Sequence, residues 1–198
     1  MNKLIKYFIL ICFTLIACKK MTTELSERTI IETSETVSEI SKKSGIIKVL
    51  NPERNYSRTA INKVFTLKKI EMHAEALKRG QKDNIKNALF TDGYTGKRLL
   101  GGISKYEFDH VRSAEYIYKK YKSILTDEEI AQVVNCNENI LTTSTKINRA
   151  KGKWPLESLL NNIQKKEELG INSLLANQAI KNADEGIKRK VSELILKK

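Results

Sequence analysis

Two short segments of the chain carry side chains that could perform chemistry together. Residues 106–111 read Tyr-Glu-Phe-Asp-His-Val and end with the pair Asp109 and His110. Residues 139–152 begin with Asn139 and end in Arg-Ala-Lys-Gly. Carboxylate and carboxamide oxygens are ligands that suit Mg²⁺ or Mn²⁺, and an imidazole titrates near neutral pH. An acid, an imidazole and a carboxamide brought together would suit metal-assisted hydrolysis of a phosphodiester.

The order of these residues along the chain resembles that of the HNH, or His-Me finger (ββα-metal), endonucleases. The resemblance rests on Thr95-Gly96-Lys97-Arg98-Leu99 before a strand, Asp109-His110 at its end, Asn139 in the following loop, and Asn148-Arg149-Ala150-Lys151-Gly152 nine residues later. It covers residues 92–153, roughly a third of the chain. The family wraps two strands and one helix around a single divalent metal ion, so the resemblance implies a metal-dependent nuclease.

The resemblance assigns roles to these residues, and their chemistry agrees with those roles. His110 would be the general base, while Asp109 and Asn139 would hold one divalent ion, Mg²⁺ or Mn²⁺. Taken one at a time, each residue also has an ordinary interpretation. Asp109 and His110 could simply end a strand, and Asn139 could be a helix cap.

The end of the second segment would supply the contacts to the substrate. Arg149 and Lys151 would pair with phosphate oxygens, and Asn148 would have a structural role in holding the loop. Many members of the family bind a structural zinc through Cys-x-x-Cys pairs. This chain has none, and residues 92–95 stand near where the first pair would fall, so no structural zinc is expected.

The pattern around the two segments predicts an α+β fold that is mostly helical, with one small antiparallel hairpin inside the ββα-metal finger. Short strands joined by tight turns are expected over residues 91–102, and another strand over 104–111. A helix should start near Ser57 or Arg58 and stop at Gly80, and residues 85–90 could form a short helical turn. Thr126-Asp127-Glu128-Glu129 is a capping box for another helix.

The later part of the chain is predicted to be helical. A helix should begin at Thr142 or Thr143 and stop near Gly152, and amphipathic helices should cover 156–169 and 173–198, with Gly186 as a candidate interruption of the last. The chain is therefore divided into a signal peptide (1–17), a lipidated cysteine and tether (18–55), a helical brace (56–90), the HNH finger (91–155) and C-terminal helices (156–198).

The first residues indicate export. A basic start and an apolar run precede Leu15-Ile16-Ala17-Cys18, which resembles the lipobox of bacterial lipoproteins. The resemblance implies cleavage before Cys18, lipidation of its thiol, and a lipoprotein anchored to a membrane of the cell envelope. An ordinary cleaved signal or an uncleaved anchor is the alternative. Cys136 would then be the one free thiol, and we expect it to be a packing residue.

The charge agrees with a polyanionic partner but does not identify it. The 198 residues carry a formal net charge of +13, which attracts nucleic acid, acidic lipid or acidic glycan. The leading prediction is an exported endonuclease of low sequence specificity, acting on DNA with RNA as the second choice. An inhibitor (immunity) protein protecting the producing cell would be a compatible partner. The alternative is a non-enzymatic helical surface lipoprotein that binds polyanions or host ligands.

Overall fold

The computed structural model describes Leu50 and residues 53–197. The chain divides into two units, Met1–Ile47 and Lys48–Lys198. The predicted signal peptide, the lipidation site Cys18 and most of the tether lie outside the described residues. No helix in the described part is both long enough and apolar enough to span a membrane.

The described part is an α+β structure that is mostly helical, as the sequence predicts. Its α-helices are α1 (Thr59–Lys82), α2 (Ala114–Tyr121), α3 (Asp127–Val134), α4 (Thr145–Lys151), α5 (Leu156–Leu160), α6 (Ile163–Glu168) and α7 (Ser173–Ile195). Its strands are β1 (Leu89–Thr91), β2 (Arg98–Leu100), β3 (Tyr106–His110) and β4 (Ile140–Ser144), and a 3₁₀ turn covers Asn137–Asn139.

The strands form two antiparallel pairs rather than the one hairpin expected. β1 pairs with β2 through a tight turn, and β3 pairs with β4 from Tyr106 opposite Ser144 to His110 opposite Ile140. The helix that was predicted to stop near Gly152 is present, but its predicted start at Thr142 or Thr143 was wrong. β-Branched residues in 140–143 favour a strand that β3 can pair with, and the helix begins only at Thr145, where the Ser144 side chain accepts a hydrogen bond from the amide of Ile147.

The first helix is longer than its glycine suggests. α1 continues two residues past Gly80 to Lys82, and Gly80 in its last turn lies against the backbone of Asn87. A Cβ atom on Gly80 would sit 2.1 Å from the Asn87 carbonyl oxygen. Residues 89–91 then form β1 instead of the helical turn expected over 85–90. Ala76 of α1 packs with Ala88, Phe90 and Leu99 in a small core beneath this first hairpin.

Helices α2 and α3 form an insertion between the paired strands β3 and β4. The predicted capping box is confirmed, with the Thr126 and Glu129 side chains each bonded to the other's backbone amide. α3 buries Ile130, Ala131, Val133 and Val134 completely. The insertion therefore contributes a substantial core and anchors the end of β3.

The C-terminal helices pack against α4 and the turn between β1 and β2. The helix expected over 156–169 is split into α5 and α6 at Asn161–Asn162, where the Asn162 side chain caps α6. α7 runs without a break at Gly186. The glycine is needed there for close packing of the 3₁₀ turn, because a Cβ atom would lie 2.6 Å from the Glu138 Cβ. Tyr94, from the turn between β1 and β2, is buried in a cluster that also contains Ile147, Leu156, Leu159, Ile171 and Ala176.

Candidate active site

A cleft of about 470 Å³ lies where the end of β3 meets the starts of α1 and α2 and the end of α4. Asp109 and His110 reach it from β3, and Asn148 and Lys151 reach it from α4. Two of the predicted site residues, Asn139 and Arg149, are not among the described residues that line it. The fold thus brings together most of the predicted set across a long insertion.

The imidazole of His110 is held in one orientation by Asn135. The His110 Nε2 lies 2.9 Å from the Asn135 Oδ1, while the Asn135 Nδ2 donates to the carbonyl oxygens of Ile61 at 3.1 Å and Ala131 at 2.8 Å. Because those carbonyls can only accept, the amide nitrogen must face them and the amide oxygen must face the ring. His110 therefore carries its proton on Nε2, and Nδ1 keeps the lone pair that a general base needs.

The surroundings of His110 keep it neutral. His110 is only 7% exposed, and the centroid of its ring lies 4.3 Å from the centroid of the Phe65 ring. Burial, with a smaller contribution from the positive charges of Arg58, Lys151 and Lys69, lowers the pKa of His110 from 6.5 to about 4, although the bond to Asn135 acts to raise it. At neutral pH the imidazole is therefore in its proton-accepting form.

Asp109 is buried between an ammonium and a phenol. Its Oδ1 lies 2.9 Å from the Lys151 Nζ, and its Oδ2 accepts a hydrogen bond of 2.8 Å from the Tyr94 hydroxyl. Burial raises the pKa of the Asp109 carboxyl, while Lys151 and Tyr94 act to lower it. Tyr94 was not singled out in the sequence, and its position becomes visible only when the turn between β1 and β2 folds onto β3.

Lys151 does not lie where a phosphate ligand would be expected. Its side chain is 1% exposed, and its Nζ donates to the carbonyl oxygen of His110 at 2.8 Å as well as to Asp109. The predicted contact of Lys151 with phosphate is replaced here by an ion pair beneath the cleft. The pair neutralises the buried carboxylate and joins the end of α4 to the end of β3.

Asn139 and Asn148 have exchanged the locations that the sequence suggested: Asn139 is buried away from the cleft, and Asn148 lines it. Asn139 is fully buried; its Oδ1 accepts from the amide of Arg112 at 2.8 Å, and its Nδ2 donates to the carbonyl oxygens of Arg112 at 3.1 Å and Val134 at 2.8 Å. With these bonds Asn139 holds the chain leaving β3 against the chain entering β4. That is a structural role, and it leaves the carboxamide unsuited to bind a metal ion in the cleft.

Asn148, expected to be structural, lines the cleft instead. Its Nδ2 donates to the Glu107 Oε2 at 2.5 Å. Glu107, which was not singled out in the sequence, thus contacts a side chain of the cleft without being among the described residues that line it. The two-residue period of a strand places it on the same face as Asp109, and that period was the signal that could have found it. Arg149 is exposed, with its Nε 3.8 Å from the Glu107 Oε1, and so remains accessible to a polyanion.

Two side chains that line the cleft carry oxygens of the kind that bind divalent ions. In the described part of the chain, no group of three or more His, Cys, Asp or Glu side chains could hold a metal ion. Asp109 and Asn148 nevertheless offer a carboxylate and a carboxamide, and Mg²⁺ commonly uses one or two protein ligands together with water and substrate phosphates. For Asp109 to bind an ion through Oδ1, Lys151 must share or release that oxygen.

A single carboxylate joins the turn between β1 and β2 to β4. Asp92 is 2% exposed, and its Oδ1 accepts from the amides of Tyr94 at 2.9 Å and Thr95 at 3.1 Å. Its Oδ2 accepts from the amide of Ser144 at 2.9 Å, and the Thr143 hydroxyl lies 3.1 Å from both oxygens. Hydrogen bonds thus connect the turn, without cysteines, at the position where the HNH resemblance would place a zinc-binding pair.

The cleft therefore combines a neutral imidazole, a buried carboxylate and a carboxamide with a cationic border. Arg58 and Lys153 line it, and Lys69 lies with its Nζ 5.0 Å from the centroid of Phe65. Such a border attracts phosphate groups. Compared with known proteins, the chain matches no family model, no curated protein and no solved structure.

Proposed function

We propose that the protein is an exported, metal-dependent endonuclease of the HNH type that hydrolyses phosphodiester bonds of DNA with low sequence specificity. One observation carries the proposal: the β3–β4 pair followed by α4 places Asp109, His110 and Asn148 at one cleft with a cationic border. RNA is the second candidate substrate. Export and a lipid anchor at Cys18 rest on the leader residues alone.

His110 acts as the general base in this proposal. Its Nδ1 accepts the proton of the attacking water, because Asn135 keeps the other ring nitrogen protonated and burial keeps the ring neutral. A rigid base is favoured over a mobile one, since a misplaced proton acceptor lowers the rate steeply. Phe65 on the ring face further restricts its rotation.

Asp109 and Asn148 would hold the divalent ion, Mg²⁺ or Mn²⁺, and Asn148 replaces Asn139 as the second oxygen ligand. When bound, the ion would supply Lewis-acid stabilisation of the charge on the phosphate. Tyr94 orients the carboxylate of Asp109 through its hydroxyl. Lys151 balances the carboxylate charge in the absence of the ion.

The exposed cations bind the nucleic acid backbone. Arg58 and Lys153 line the cleft, and Arg149 lies exposed beside Glu107. Each phosphate neutralised by a cation releases counterions, so binding weakens as salt rises. Contacts to phosphate carry little sequence information, which agrees with low specificity.

A second function is favoured by one observation. Lys151 already pairs with Asp109, and His110 is nearly buried, so both groups are less available for catalysis. The protein could instead be a non-enzymatic surface lipoprotein that binds polyanions through its lysines. In that case the basic surface binds nucleic acid or acidic glycan without cleavage. An immunity protein is expected only if the chain cuts DNA.

A plasmid-nicking assay on the full chain separates these functions. Nicking should require Mg²⁺ or Mn²⁺, stop with chelator, and be lost in His110→Ala but not in His73→Ala, which changes the only other histidine, exposed on α1. Asn148→Ala should raise the Mg²⁺ concentration needed for half-maximal activity, whereas Asn139→Ala should mainly lower the melting temperature. DNA retained on a filter but never cut by the wild-type chain would refute the nuclease activity and favour polyanion binding, by a lipoprotein or by a nuclease that no longer cuts.

A further inference from the structure

Two side chains that line the cleft, Tyr56 and Glu115, have no part in the function proposed above. Tyr56, just before α1, lines the cleft together with Arg58, Glu115 and Lys153. Burial raises the pKa of Tyr56, with Arg58 lowering it and Glu115 raising it, and Lys119 and Lys153 lower the pKa of Glu115. All four side chains line the same cleft. Together they give an aromatic ring bordered by two cations.

The ring of Tyr56 is held in place from behind. It contacts the ring of Tyr118 edge-on, with centroids 5.2 Å apart and an interplanar angle of 67°. Tyr118 is itself buried and donates from its hydroxyl to the Asn55 carbonyl oxygen at 2.7 Å. Arg54 extends the same anchor, with an ion pair of 3.0 Å to Asp127 at the start of α3. Tyr56 is thus packed on one side against a buried ring and remains 36% exposed.

A partly exposed aromatic ring that lines a cleft with cationic side chains is suited to stack on a nucleobase. Proteins that bind single strands combine a positive groove with aromatic side chains on which bases stack, and each such contact is sequence-tolerant. In a duplex the faces of the bases are covered by their neighbours, so the ring could reach only a base that is unpaired or flipped out. The cleft volume of about 470 Å³ lies in the range of small-ligand pockets.

We propose that Tyr56 stacks on the base next to the scissile phosphate, so that the substrate is a single-stranded or locally unpaired nucleic acid. The inference rests on the proposed nuclease function and names its substrate class. Arg58 and Lys153 contact the phosphates on either side of that base. Glu115 is already ion-paired with Lys119 at 2.6 Å, which reduces its repulsion of the strand. Trp154, 64% exposed and with the Lys153 Nζ 5.7 Å from its ring centroid, provides a second stacking surface on the adjoining segment.

The test measures binding and cleavage separately on the full chain. The probes are a fluorescently labelled single-stranded DNA oligonucleotide, the RNA of the same sequence, and the blunt DNA duplex, with binding measured in chelator and cleavage in Mg²⁺. Tyr56→Leu should weaken binding of a single strand about tenfold, or roughly 1.4 kcal/mol, and leave duplex binding within about twofold. Tyr56→Phe keeps the ring and should bind like the wild type.

Tyr116→Leu is the matched control, because Tyr116 is 46% exposed beside Lys120 on α2 but does not line the cleft. It should change neither binding nor cleavage. A Tyr56→Leu variant that melts like the wild type and binds single strands equally well would overturn the stacking assignment, as would a wild type that prefers the duplex. Absence of cleavage by the wild type with every probe and metal would refute the nuclease function, while the binding measurements would still decide whether Tyr56 contacts a base.

Discussion

Replacing Asn135 tests the central claim about the base, that a neighbouring carboxamide sets the tautomer of His110. In Asn135→Leu, a side chain of similar size removes the acceptor for the His110 Nε2 and both donations to the Ile61 and Ala131 carbonyls. The imidazole then has no partner that distinguishes its nitrogens. We expect a mixture of the two neutral tautomers in place of the single Nε2–H form.

The size of the effect follows from the hydrogen bonds lost. Each neutral bond contributes about 0.5–1.5 kcal/mol, so removal of three should destabilise the fold by roughly 3 kcal/mol. For a chain of this size that corresponds to a decrease of roughly 6–12 °C in melting temperature. Asn135→Asp should instead raise the His110 pKa above about 4, because a carboxylate beside the imidazole stabilises its protonated form.

Nitrogen NMR on histidine-labelled protein measures this directly. The chain has only two histidines, and the exposed His73 serves as an internal reference beside the buried His110. The wild-type spectrum should show His110 neutral at pH 7 with its proton on Nε2. A His110 signal with the proton on Nδ1, or one that titrates with the same midpoint in the wild type and in Asn135→Asp, would refute the reasoning.

Two further predictions concern stability. Asp92→Ala removes the acceptor for two turn amides, the Ser144 amide and the Thr143 hydroxyl, and should lower the free energy of unfolding by about 3 kcal/mol in urea titration; the control Asp83→Ala, at an exposed pair with Arg98, should cost less than about 1 kcal/mol. The His110 pKa is about 4 in the folded chain and 6.5 in the unfolded reference, so the unfolded chain binds more protons between these pH values. His110 should therefore lower the free energy of unfolding as the pH falls from 6.5 to 4, by roughly 3 kcal/mol in total. His110→Gln should lack that contribution, and equal pH dependence in both proteins would contradict it.

Local sequence was sufficient for several elements. The alternation in residues 106–110 predicted β3 with Asp109 and His110 at its end, because a two-residue period needs no information from the rest of the chain. The capping box at Thr126 was equally readable, since its two hydrogen bonds join residues three apart. Two glycines were weaker signals: Gly80 suggested a helix end and Gly186 an interruption. Each of them provides room for another segment to pack closely against a helix.

β4 was missed because its partner is distant in sequence. The Thr-rich segment 142–145 can begin a helix or continue a strand, and the pairing with β3, across two inserted helices, decides between them. The same pairing determines the orientation of everything that follows. Once β4 is a strand, α4 starts at Thr145 and points Asn148 and Lys151 toward β3.

The sequence by itself therefore determined which residue types two segments bring to the site: an acid and an imidazole from one, a carboxamide and a lysine from the other. Only the tertiary structure decided their environments. It buried Lys151 against Asp109, used every polar atom of the Asn139 side chain on backbone groups, and brought Asn148 to the cleft. The physical reason is that burial and hydrogen-bond partners are properties of packing between distant segments, and a residue's spacing along the chain does not specify them.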